Sequence, residues 1–487
     1  MIDFKADQEL ILLDFPQRYV PMMPSGIGYV HELLKTSNLQ FQTVDLNIIL
    51  YHQYHDGKLP KLMDGDPWDT TSMMCWSDDD FLDKLQPTID SISISLIKAR
   101  PKIIGVSASG TNRKFALRVL SQIRERCPEI IILVGGYDCA YHYVAPRIFP
   151  IYDYMVIREA EITLLPLLHS IMKGESPHNL PGIISRNDTL PFQQAEPIFY
   201  LDDVPFPTYD WTDPLIYRTK NGIYKVPLSG SRGCSWARCT FCSEAWKWRR
   251  RSPRKIVDEM EYWRSNYGVY SFSFNESDMA GDLVHLMAIC DQIIARDLKL
   301  IFSGLLHIRK GMDRDFFRKL YQAGCRQVAC GVDAWCNHTA RLQNKGYDME
   351  IIESVLKACR QSGIVVETNI VIGVPGETEQ DIEESIRNII RMKPYITSMQ
   401  NLNMLILGAG SQFYDNPERY GIIFRGEKAK IYHEHPYIIP AALWYSDDPF
   451  IDLGIRLNRR NTIYKRLREA DVPLTTYVDF QAAGGRD

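Results

Sequence analysis

Three cysteines in one short run are the residues of this chain best suited to do chemistry. Cys234, Cys239 and Cys242 follow Gly233 with the spacing C-x4-C-x2-C. Three thiolates on one loop can hold three irons of a [4Fe–4S] cluster and leave the fourth iron open. An open coordination position is typical of a site that performs chemistry, because a structural metal site closes all its positions. Phe241, between the last two cysteines, suits a site that shields a cluster from water.

Other uses of these cysteines are a zinc site, a redox pair or disulfides. A structural zinc site normally draws four ligands from two separated C-x2-C pairs, and the sequence has no second C-x2-C. A thioredoxin-like pair would use Cys239 and Cys242 and leave Cys234 idle. The chain has eleven cysteines, an odd number, and its polar, charged beginning predicts no signal peptide, so disulfides are not expected. The open iron–sulfur cluster is the interpretation we favour, with zinc and redox use as alternatives.

Composition and charge predict a soluble, cytoplasmic enzyme. Of the 487 residues, 45% are hydrophobic and 24% are charged, which predicts a packed core rather than disorder. The net charge of −4 gives no reason to expect a nucleic-acid partner, and the run Arg249–Arg251 is too short to change that. No apolar run reaches the roughly eighteen residues that a membrane span needs. We therefore expect no nucleic-acid and no membrane partner.

The first part of the chain predicts a Rossmann-like α/β domain over residues 1–195. Apolar, β-branched runs of strand length alternate with helical patterns, as in an open parallel sheet covered on both faces. The candidate strands are Glu9–Asp14, Gln42–Leu46, Ile103–Ala108, Ile130–Gly135, Asp153–Ile157 and Gly182–Ser185. Ligands of such sheets bind beyond the carboxyl ends of the strands, where the loops contain Ser107, Gly135 and Gly136. No G-x-G-x-x-G opens a helix, so dinucleotide binding is not predicted.

Residues 224–420 predict a partial (β/α)6 barrel of the TIM type, because six strand–helix units follow one another. The candidate strands are Val226–Ser229, Tyr270–Phe274, Lys299–Ser303, Gln327–Gly331, Val365–Ile372 and Met399–Ile406. Active sites of such barrels lie where the strands end, and the cysteine loop follows the first strand. Residues 196–223 are predicted to be a linker, and residues 421–487 a small C-terminal module.

The cysteine triplet resembles the signature of the radical S-adenosylmethionine (radical SAM) superfamily. The superfamily's usual spacing is C-x3-C-x2-C with an aromatic residue before the last cysteine, and this chain has one extra residue. The resemblance implies that Cys234, Cys239 and Cys242 bind the cluster and that SAM chelates the open iron. One electron would then cleave SAM to methionine and a 5'-deoxyadenosyl radical, which abstracts hydrogen from the substrate. It also implies an electron donor such as flavodoxin or ferredoxin.

Further segments at predicted strand ends resemble SAM-binding segments of the superfamily. The segment 275–278 stands where relatives contact the methionine moiety, and 331–333 resembles G-V-E, whose carboxylate binds the ribose hydroxyls. The segment 373–378 matches G-x-P-G-E-T, in which the glycines pack on adenine and the glutamate caps the next helix. Lys345 also matches the pattern, as part of the architecture. The implied cofactor-binding residues are Phe241, Asn275, Glu276, Ser277, Asp333, Gly373, Pro375 and Gly376.

The N-terminal domain resembles the cobalamin-binding domain of the B12-dependent radical SAM subfamily. The matching pieces are the segment 23–29, the turn at Gly135 and Gly136, and the segment 201–207, and they imply a cobalamin near these glycines and Ser107. Arg158-Glu-Ala-Glu161 stands where the subfamily usually has G-E-G-E. Arginine and alanine in place of two glycines would hinder close backbone approach of a large ligand. A bound cobalamin and a degenerate structural domain therefore both stay open.

The resemblance implies a B12-dependent methyltransferase that acts on an unactivated carbon of a small molecule or peptide. The adenosyl radical would make a carbon radical, and methylcobalamin would deliver the methyl group. The alternative is a cobalamin-free radical dehydratase, epimerase or oxidoreductase, in which Cys330 or Cys336 would donate a hydrogen atom. Both cysteines can equally be small buried residues. A non-catalytic cofactor-binding or scaffold protein is a third hypothesis, which fits an open cluster site poorly.

Overall fold

The structure is a computed structural model that describes residues 2–218, 225–244 and 246–475. It divides into two compact units, with the division between Lys225 and Val226. The predicted domain boundaries at residues 195 and 420 stay predictions. Part of the predicted linker (219–224) and the end of the predicted C-terminal module (476–487) lie outside the described residues.

The N-terminal unit is built on one six-stranded sheet in the order β2-β1-β3-β4-β5-β6. Its strands are β1 (Leu10–Asp14), β2 (Phe41–Asp45), β3 (Ile103–Ser107), β4 (Ile131–Gly135), β5 (Tyr154–Val156) and β6 (Ile183–Ser185). Its helices are Ser25–Lys35, Leu46–His55, Asp79–Lys84, Gln86–Ala99, Arg113–Arg126, Ala145–Ile148 and Leu164–Met172. The predicted Rossmann-like class is confirmed.

Two details of this unit differ from the sequence-based expectation. The strand β6 pairs antiparallel with β5, whereas the other neighbours are parallel, and such an antiparallel edge strand is common on parallel sheets. Three longer helices were not predicted: Asp79–Lys84, Gln86–Ala99 and Leu46–His55, of which the last follows β2 without a break. Asp45 ends the strand and caps the helix by accepting a hydrogen bond from Ile48 N, and an unbroken apolar run does not reveal that change.

The second unit contains a parallel sheet whose six strands follow the order of the chain. These strands are β7 (Val226–Leu228), β8 (Ser271–Phe274), β9 (Ile301–Leu306), β10 (Cys325–Cys330), β11 (Val365–Ile372) and β12 (Ser398–Met404). The helices between them are Pro253–Tyr267, Leu283–Ala295, Arg314–Gln322, Asn337–Leu342, Met349–Gln361 and Glu379–Met392. Strand and helix alternate as the predicted partial barrel requires, so the fold class is confirmed.

The C-terminal part of the second unit adds short strands and three helices. Two antiparallel pairs join Leu407–Gly408 to Ile438–Ile439 and Ile422–Phe424 to Trp444–Ser446. The helices are Gln412–Asp415, Lys428–Glu434 and Leu453–Glu469. Across the part of the chain that the structure describes, no helix has the length and apolar character that crossing a membrane requires.

Candidate functional site

The cysteine loop leaves the carboxyl end of β7 through a short hairpin. Ser231–Arg232 pairs antiparallel with Arg249–Arg250, and the loop between them contains the three cysteines. Gly233 has a φ of 80°, and a Cβ there would lie 2.6 Å from the carbonyl oxygen of Trp246. Only glycine avoids that collision, so Gly233 allows the two ends of the cysteine loop to approach each other closely.

The three thiols are partly exposed and spaced for a cluster rather than for one metal ion. Among the described residues, the three candidate metal ligands that all lie within 4.8 Å of one another are His31, Glu32 and Asp210. At least one pair of the three cysteine sulfurs is therefore more than 4.8 Å apart. Two thiolates on one zinc ion lie at most about 4.6 Å apart, since each Zn–S bond is about 2.3 Å. A cluster that gives each cysteine its own iron fits this spacing, and a zinc ion held by all three cysteines does not.

Backbone amides already point at two of these sulfurs. Ala237 N donates to Cys234 Sγ at 3.4 Å, and Glu244 N donates to Cys242 Sγ at 3.4 Å. Burial raises the pKa of Cys239 to about 11, although nearby Lys345 acts in the opposite direction. Metal coordination deprotonates a thiol outright, and N–H···S hydrogen bonds help to set the potential of a cluster. The donor set therefore fits a [4Fe–4S] cluster.

The cysteine loop is clamped to the segment 342–344. Trp236 Nε1 donates to the carbonyl of Asn344 at 2.7 Å, and Thr240 Oγ1 donates to that of Leu342 at 3.0 Å. Asn344 Nδ2 donates in return to the carbonyl of Arg238 at 3.0 Å. These bonds span about a hundred residues of sequence, so no local pattern could have revealed them.

Asp333 and Lys345 form a buried ion pair beside the loop. Lys345 Nζ lies 2.6 Å from Asp333 Oδ2 and 5.8 Å from the centre of the Phe241 ring. Asn369 Nδ2 donates to the other oxygen of Asp333 at 2.7 Å. Burial opposes the charge on Lys345, but Tyr347 and Asp333 hold its pKa above the ordinary value. Both carboxylate oxygens of Asp333 thus have protein partners, and its ribose-binding role stays a prediction.

The residues after β8 contact the cysteine loop through their side chains. Glu276 is buried and accepts a hydrogen bond from the hydroxyl of Ser231, while Ser277 bonds to Glu244. Burial raises the pKa of Glu276 well above its usual range, and Asp278 adds to that effect. Asn275 is exposed and only its backbone has a described partner, Leu228. The predicted methionine-binding segment therefore lies against the loop, and Asn275 is its exposed member.

Arg309 and His307 extend this cluster from the end of β9. Arg309 binds Asp278 and donates to Ser235 Oγ at 3.1 Å, while the His307 ring stacks on Trp236 with centroids 5.3 Å apart. Burial lowers the pKa of His307 to about 3, and the cations of Lys345 and Arg309 act in the same direction. His307 is therefore a neutral imidazole. Its place at a predicted strand end was visible in the sequence, but its stacking on Trp236 was not.

The turn after β11 is held by two arginines of the helix Leu453–Glu469. Glu377 accepts a hydrogen bond from Gly373 N at 2.7 Å and pairs with Arg459 at 3.1 Å. Arg456 Nε donates to the Gly373 carbonyl at 3.2 Å. Gly373 and Pro375 are buried, and Gly376 packs against Leu342. The implied capping role of Glu377 was wrong, because Thr378 and Asp381 cap the helix Glu379–Met392 in a capping box.

Gly373→Ala is expected to destabilise the second unit by about 2–4 kcal/mol. The φ of 79° strains any residue with a Cβ, and that Cβ would lie 2.4 Å from Arg456 Cγ, so crowding adds to strain. Gly421→Ala is the matched control, because Gly421 has a φ of 63° in open space and should lose only about 1 kcal/mol. Urea unfolding measures both, and equal losses would show that the contact with Arg456 is unimportant.

The two cysteines proposed as hydrogen donors, Cys330 and Cys336, are buried among packing residues. Cys330 pairs in register with Leu306, and both are almost fully buried. It also lies near Cys359, which belongs to the helix Met349–Gln361. Cys336 begins the helix Asn337–Leu342, accepts a hydrogen bond from Thr339 N and donates to Asp381. Their catalytic role stays a prediction, and these contacts are those of packing and capping residues.

Ser107, Gly135 and Gly136 lie together at the carboxyl edge of the N-terminal sheet. Ser107 is in register with Asp14 on one side and with Gly135 on the other. A Cβ on Gly136 would lie 2.6 Å from the carbonyl oxygen of Ala108, so this glycine permits a close backbone crossing. The structure thus brings the three predicted residues to one edge, and their ligand stays a prediction.

The same edge combines a closed polar cluster with exposed aromatic side chains. Arg18 forms ion pairs with Asp14 at 3.0 Å and with Asp45 at 2.8 Å. These pairs join the carboxyl ends of β1 and β2. Tyr19, Tyr137 and Tyr143 are exposed and belong to loops that follow β1 and β4. Exposed tyrosines at such an edge offer flat surfaces on which a large ring can stack.

Comparisons with known proteins agree with this architecture. The sequence description of the Radical SAM superfamily matches residues 228–389. The chain is 25% identical over 315 residues to the anaerobic magnesium-protoporphyrin IX monomethyl ester cyclase of Rubrivivax gelatinosus, over 61% of this chain and 56% of the cyclase. It is 23% identical over 409 residues to the cytidylyl-2-hydroxyethylphosphonate methyltransferase of Streptomyces wedmorensis, over 74% of this chain and 71% of that enzyme. The chain thus spans little more than half of the cyclase.

A solved structure shares the fold of both units. It is the radical S-adenosylmethionine methyltransferase TsrM from Kitasatospora setae with cobalamin and a [4Fe–4S] cluster bound. The TM-score is 0.63 at 18% identity, and the match covers 86% of this chain and 78% of that one. At this level of identity the likeness establishes the fold.

Proposed function

We propose that this protein, whose residues 228–389 match the Radical SAM superfamily, cleaves S-adenosylmethionine reductively at a [4Fe–4S] cluster. The observation that carries the proposal is the cysteine loop at the carboxyl end of β7. Its three cysteines are spaced for a cluster, and Asp333, Lys345 and Glu276 surround it. When bound, the cluster supplies the electron that splits SAM into methionine and a 5'-deoxyadenosyl radical. The surrounding side chains fix the loop and limit the access of water.

We further propose that the enzyme is a cobalamin-dependent methyltransferase at an unactivated carbon. The N-terminal sheet changes winding direction between β1 and β3, and ligands of open α/β sheets bind at such a switch point. Ser107 lies there, and the exposed tyrosines nearby suit a large ring. Relatives of similar length are methyltransferases. These observations support cobalamin at this edge, held through Ser107, Gly135 and Gly136.

The second candidate is a radical dehydratase, epimerase or oxidoreductase without cobalamin. One observation favours it. Arg158, in place of the subfamily's first glycine, has a φ of 69° and is exposed, and its Nε donates to the carbonyl of Ala140 at 3.3 Å. Its side chain therefore occupies space at the sheet edge that glycine would leave to a ligand.

Metal content distinguishes the two candidates. The protein would be purified without oxygen from cells supplied with cobalamin, and iron and cobalt would be measured in the same sample. We expect about four irons and one cobalt per chain, and 5'-deoxyadenosine on addition of SAM and dithionite. Four irons without cobalt would favour the second candidate. Iron below about two per chain, without deoxyadenosine, would contradict the radical SAM proposal itself.

The proposed partners and location follow from this chemistry. A small molecule or peptide is the proposed substrate, and an electron donor such as flavodoxin or ferredoxin supplies the electron. None of the eleven cysteines is in a disulfide, which is typical of proteins in a reducing compartment. We propose the cytoplasm on that ground.

A further inference from the structure

The strands of the partial barrel present two different faces. On β11, Val366, Thr368 and Ile370 are buried, whereas Glu367 and Asn369 between them are partly exposed. The same alternation holds for β8, where Phe272 and Phe274 are buried, whereas Ser271 and Ser273 are partly exposed. Because the helices of the barrel cover the outer face of such a sheet, the partly exposed residues lie on the inner face.

Polar side chains line much of this inner face and lack protein partners. Neighbouring strands place them side by side, as in the register pairs of Ser273 with Ser303, Ser303 with Gln327, and Asn369 with Asn401. In the described part of the chain, several of these side chains have no hydrogen bond or ion pair. They include Ser271, Ser273, Ser303, Gln327, Glu367, Ser398, Asn401 and Asn403. Hydrogen-bonding groups that the protein leaves free inside a barrel are available to a ligand.

Glu367 is the charged member of this set and is the third residue of β11, which lies next to the edge strand β12. It is in register with Ala329, which is in register with Leu305, and Leu305 is 47% exposed. These three residues therefore form one layer across the strands, in which the carboxylate of Glu367 lies beside the apolar side chains of Ala329 and Leu305. Two residues further along β11, Asn369 binds Asp333 of the proposed cofactor site. Glu367, Ala329 and Leu305 thus lie on the amino-terminal side of the proposed cofactor site, two residues before Asn369 along β11.

We infer that the barrel interior binds a polar substrate whose hydroxyl or amino group is anchored by Glu367. The inference rests on the proposed function and names the substrate class for that site. An ionised carboxylate only accepts hydrogen bonds, so its partner must be a donor such as a hydroxyl or an ammonium group. The amides of Gln327, Asn401 and Asn403 add donors and acceptors, while Leu305 and Ala329 contact the carbon skeleton. Interiors of TIM barrels are ordinarily filled by branched apolar side chains, so the polar side chains on this inner face are unusual. A flat apolar ligand would leave them without hydrogen-bond partners, which is unfavourable.

The test compares how different acceptors stimulate SAM cleavage. Reconstituted enzyme with dithionite and SAM would be given amino acids, sugars and nucleosides, each separately, with protoporphyrin IX as the flat apolar comparison. The readout is the ratio of 5'-deoxyadenosine formed with and without the acceptor. We expect at least one polar acceptor to raise this ratio. Glu367→Gln should lower the stimulated ratio about tenfold or more, because it weakens a charge-assisted hydrogen bond. Glu350→Gln, on an exposed residue of an outer helix, is the matched control and should keep the wild-type ratio.

The outcomes separate this inference from the proposed function. Deoxyadenosine formation that only protoporphyrin stimulates, or that no polar acceptor stimulates, would overturn the inference while the radical SAM activity stands. Glu367→Gln could also lower SAM cleavage in the absence of an acceptor and yet keep the wild-type ratio of stimulated to unstimulated cleavage. That result would show that Glu367 has only a structural role, and it would also overturn the inference. If wild-type protein with four irons forms no deoxyadenosine under any condition, the proposed function fails instead.

Discussion

Replacing Cys234, Cys239 or Cys242 by alanine is expected to lower bound iron from about four per chain to below about one. Formation of 5'-deoxyadenosine should fall by about a thousandfold or more, because the cofactor performs the chemistry. Each of the three cysteines is expected to bind one iron of the cluster, and two cysteine ligands do not retain it. Iron analysis, the visible absorption of the cluster and chromatography of deoxyadenosine measure the effect.

Cys127→Ala is the matched control for these variants. Cys127 follows the helix Arg113–Arg126 in the N-terminal unit, is only partly buried, and has no ligand spacing to another cysteine. This variant should keep the wild-type iron content and activity. Full deoxyadenosine formation by any of the three loop variants would rule out the assigned ligands, and a loss in all four would point to general thiol damage.

Breaking the buried pair of Asp333 and Lys345 should destabilise the second unit by about 3–5 kcal/mol. The side chains of Lys345 and Asp333 are only 4% and 10% exposed, so Lys345→Met leaves an uncompensated buried carboxylate, and Asp333→Asn leaves a buried ammonium group. The double variant removes both charges and should be more stable than the sum of the two single losses predicts. Urea unfolding of the three variants gives the coupling energy.

An exposed ion pair provides the comparison for this cycle. Lys465 lies 4.0 Å from Glu469 on the helix Leu453–Glu469, and the two side chains are 78% and 59% exposed. Lys465→Met should change stability by no more than about 0.5 kcal/mol. Two results would contradict the importance of burial. One is that the stability losses of Lys345→Met and Asp333→Asn simply add in the double variant, and the other is that Lys465→Met loses as much stability as Lys345→Met.

Most of the secondary structure of the sheets followed from local patterns. The strand Ile131–Gly135 was predicted because a continuous apolar run suits a parallel strand covered on both faces. The helix Pro253–Tyr267 begins with a capping pattern that the sequence displays directly, Ser252 followed by proline, and Ser252 accepts the capping hydrogen bond from Lys255 N. The helix Leu46–His55 was missed because its apolar run continues directly from β2.

The candidate site was less accessible from the sequence. Glu377 was assigned to a helix cap, but its carboxylate joins Gly373 to Arg459, more than eighty residues away. Cys330 was considered as a hydrogen donor because it flanks the segment 331–333, whereas its register with buried Leu306 directs it to the packed face of the sheet. A shift of one residue along a strand reverses the face, and the sequence does not mark which face is the inner one.

The sequence by itself determined the class of chemistry and the order of the elements. The three cysteines lie within nine residues and the strands within runs of three to eight, so their spacing is a local property that the chain displays directly. Only the tertiary structure decided which side chains surround the cysteine loop and which polar groups stay unpaired inside the barrel. Lys345 beside Phe241, Arg456 on Gly373 and the free carboxylate of Glu367 depend on strand register and helix packing. Those contacts join residues far apart in sequence, because the free energy of packing is set by the whole core and not by neighbouring residues.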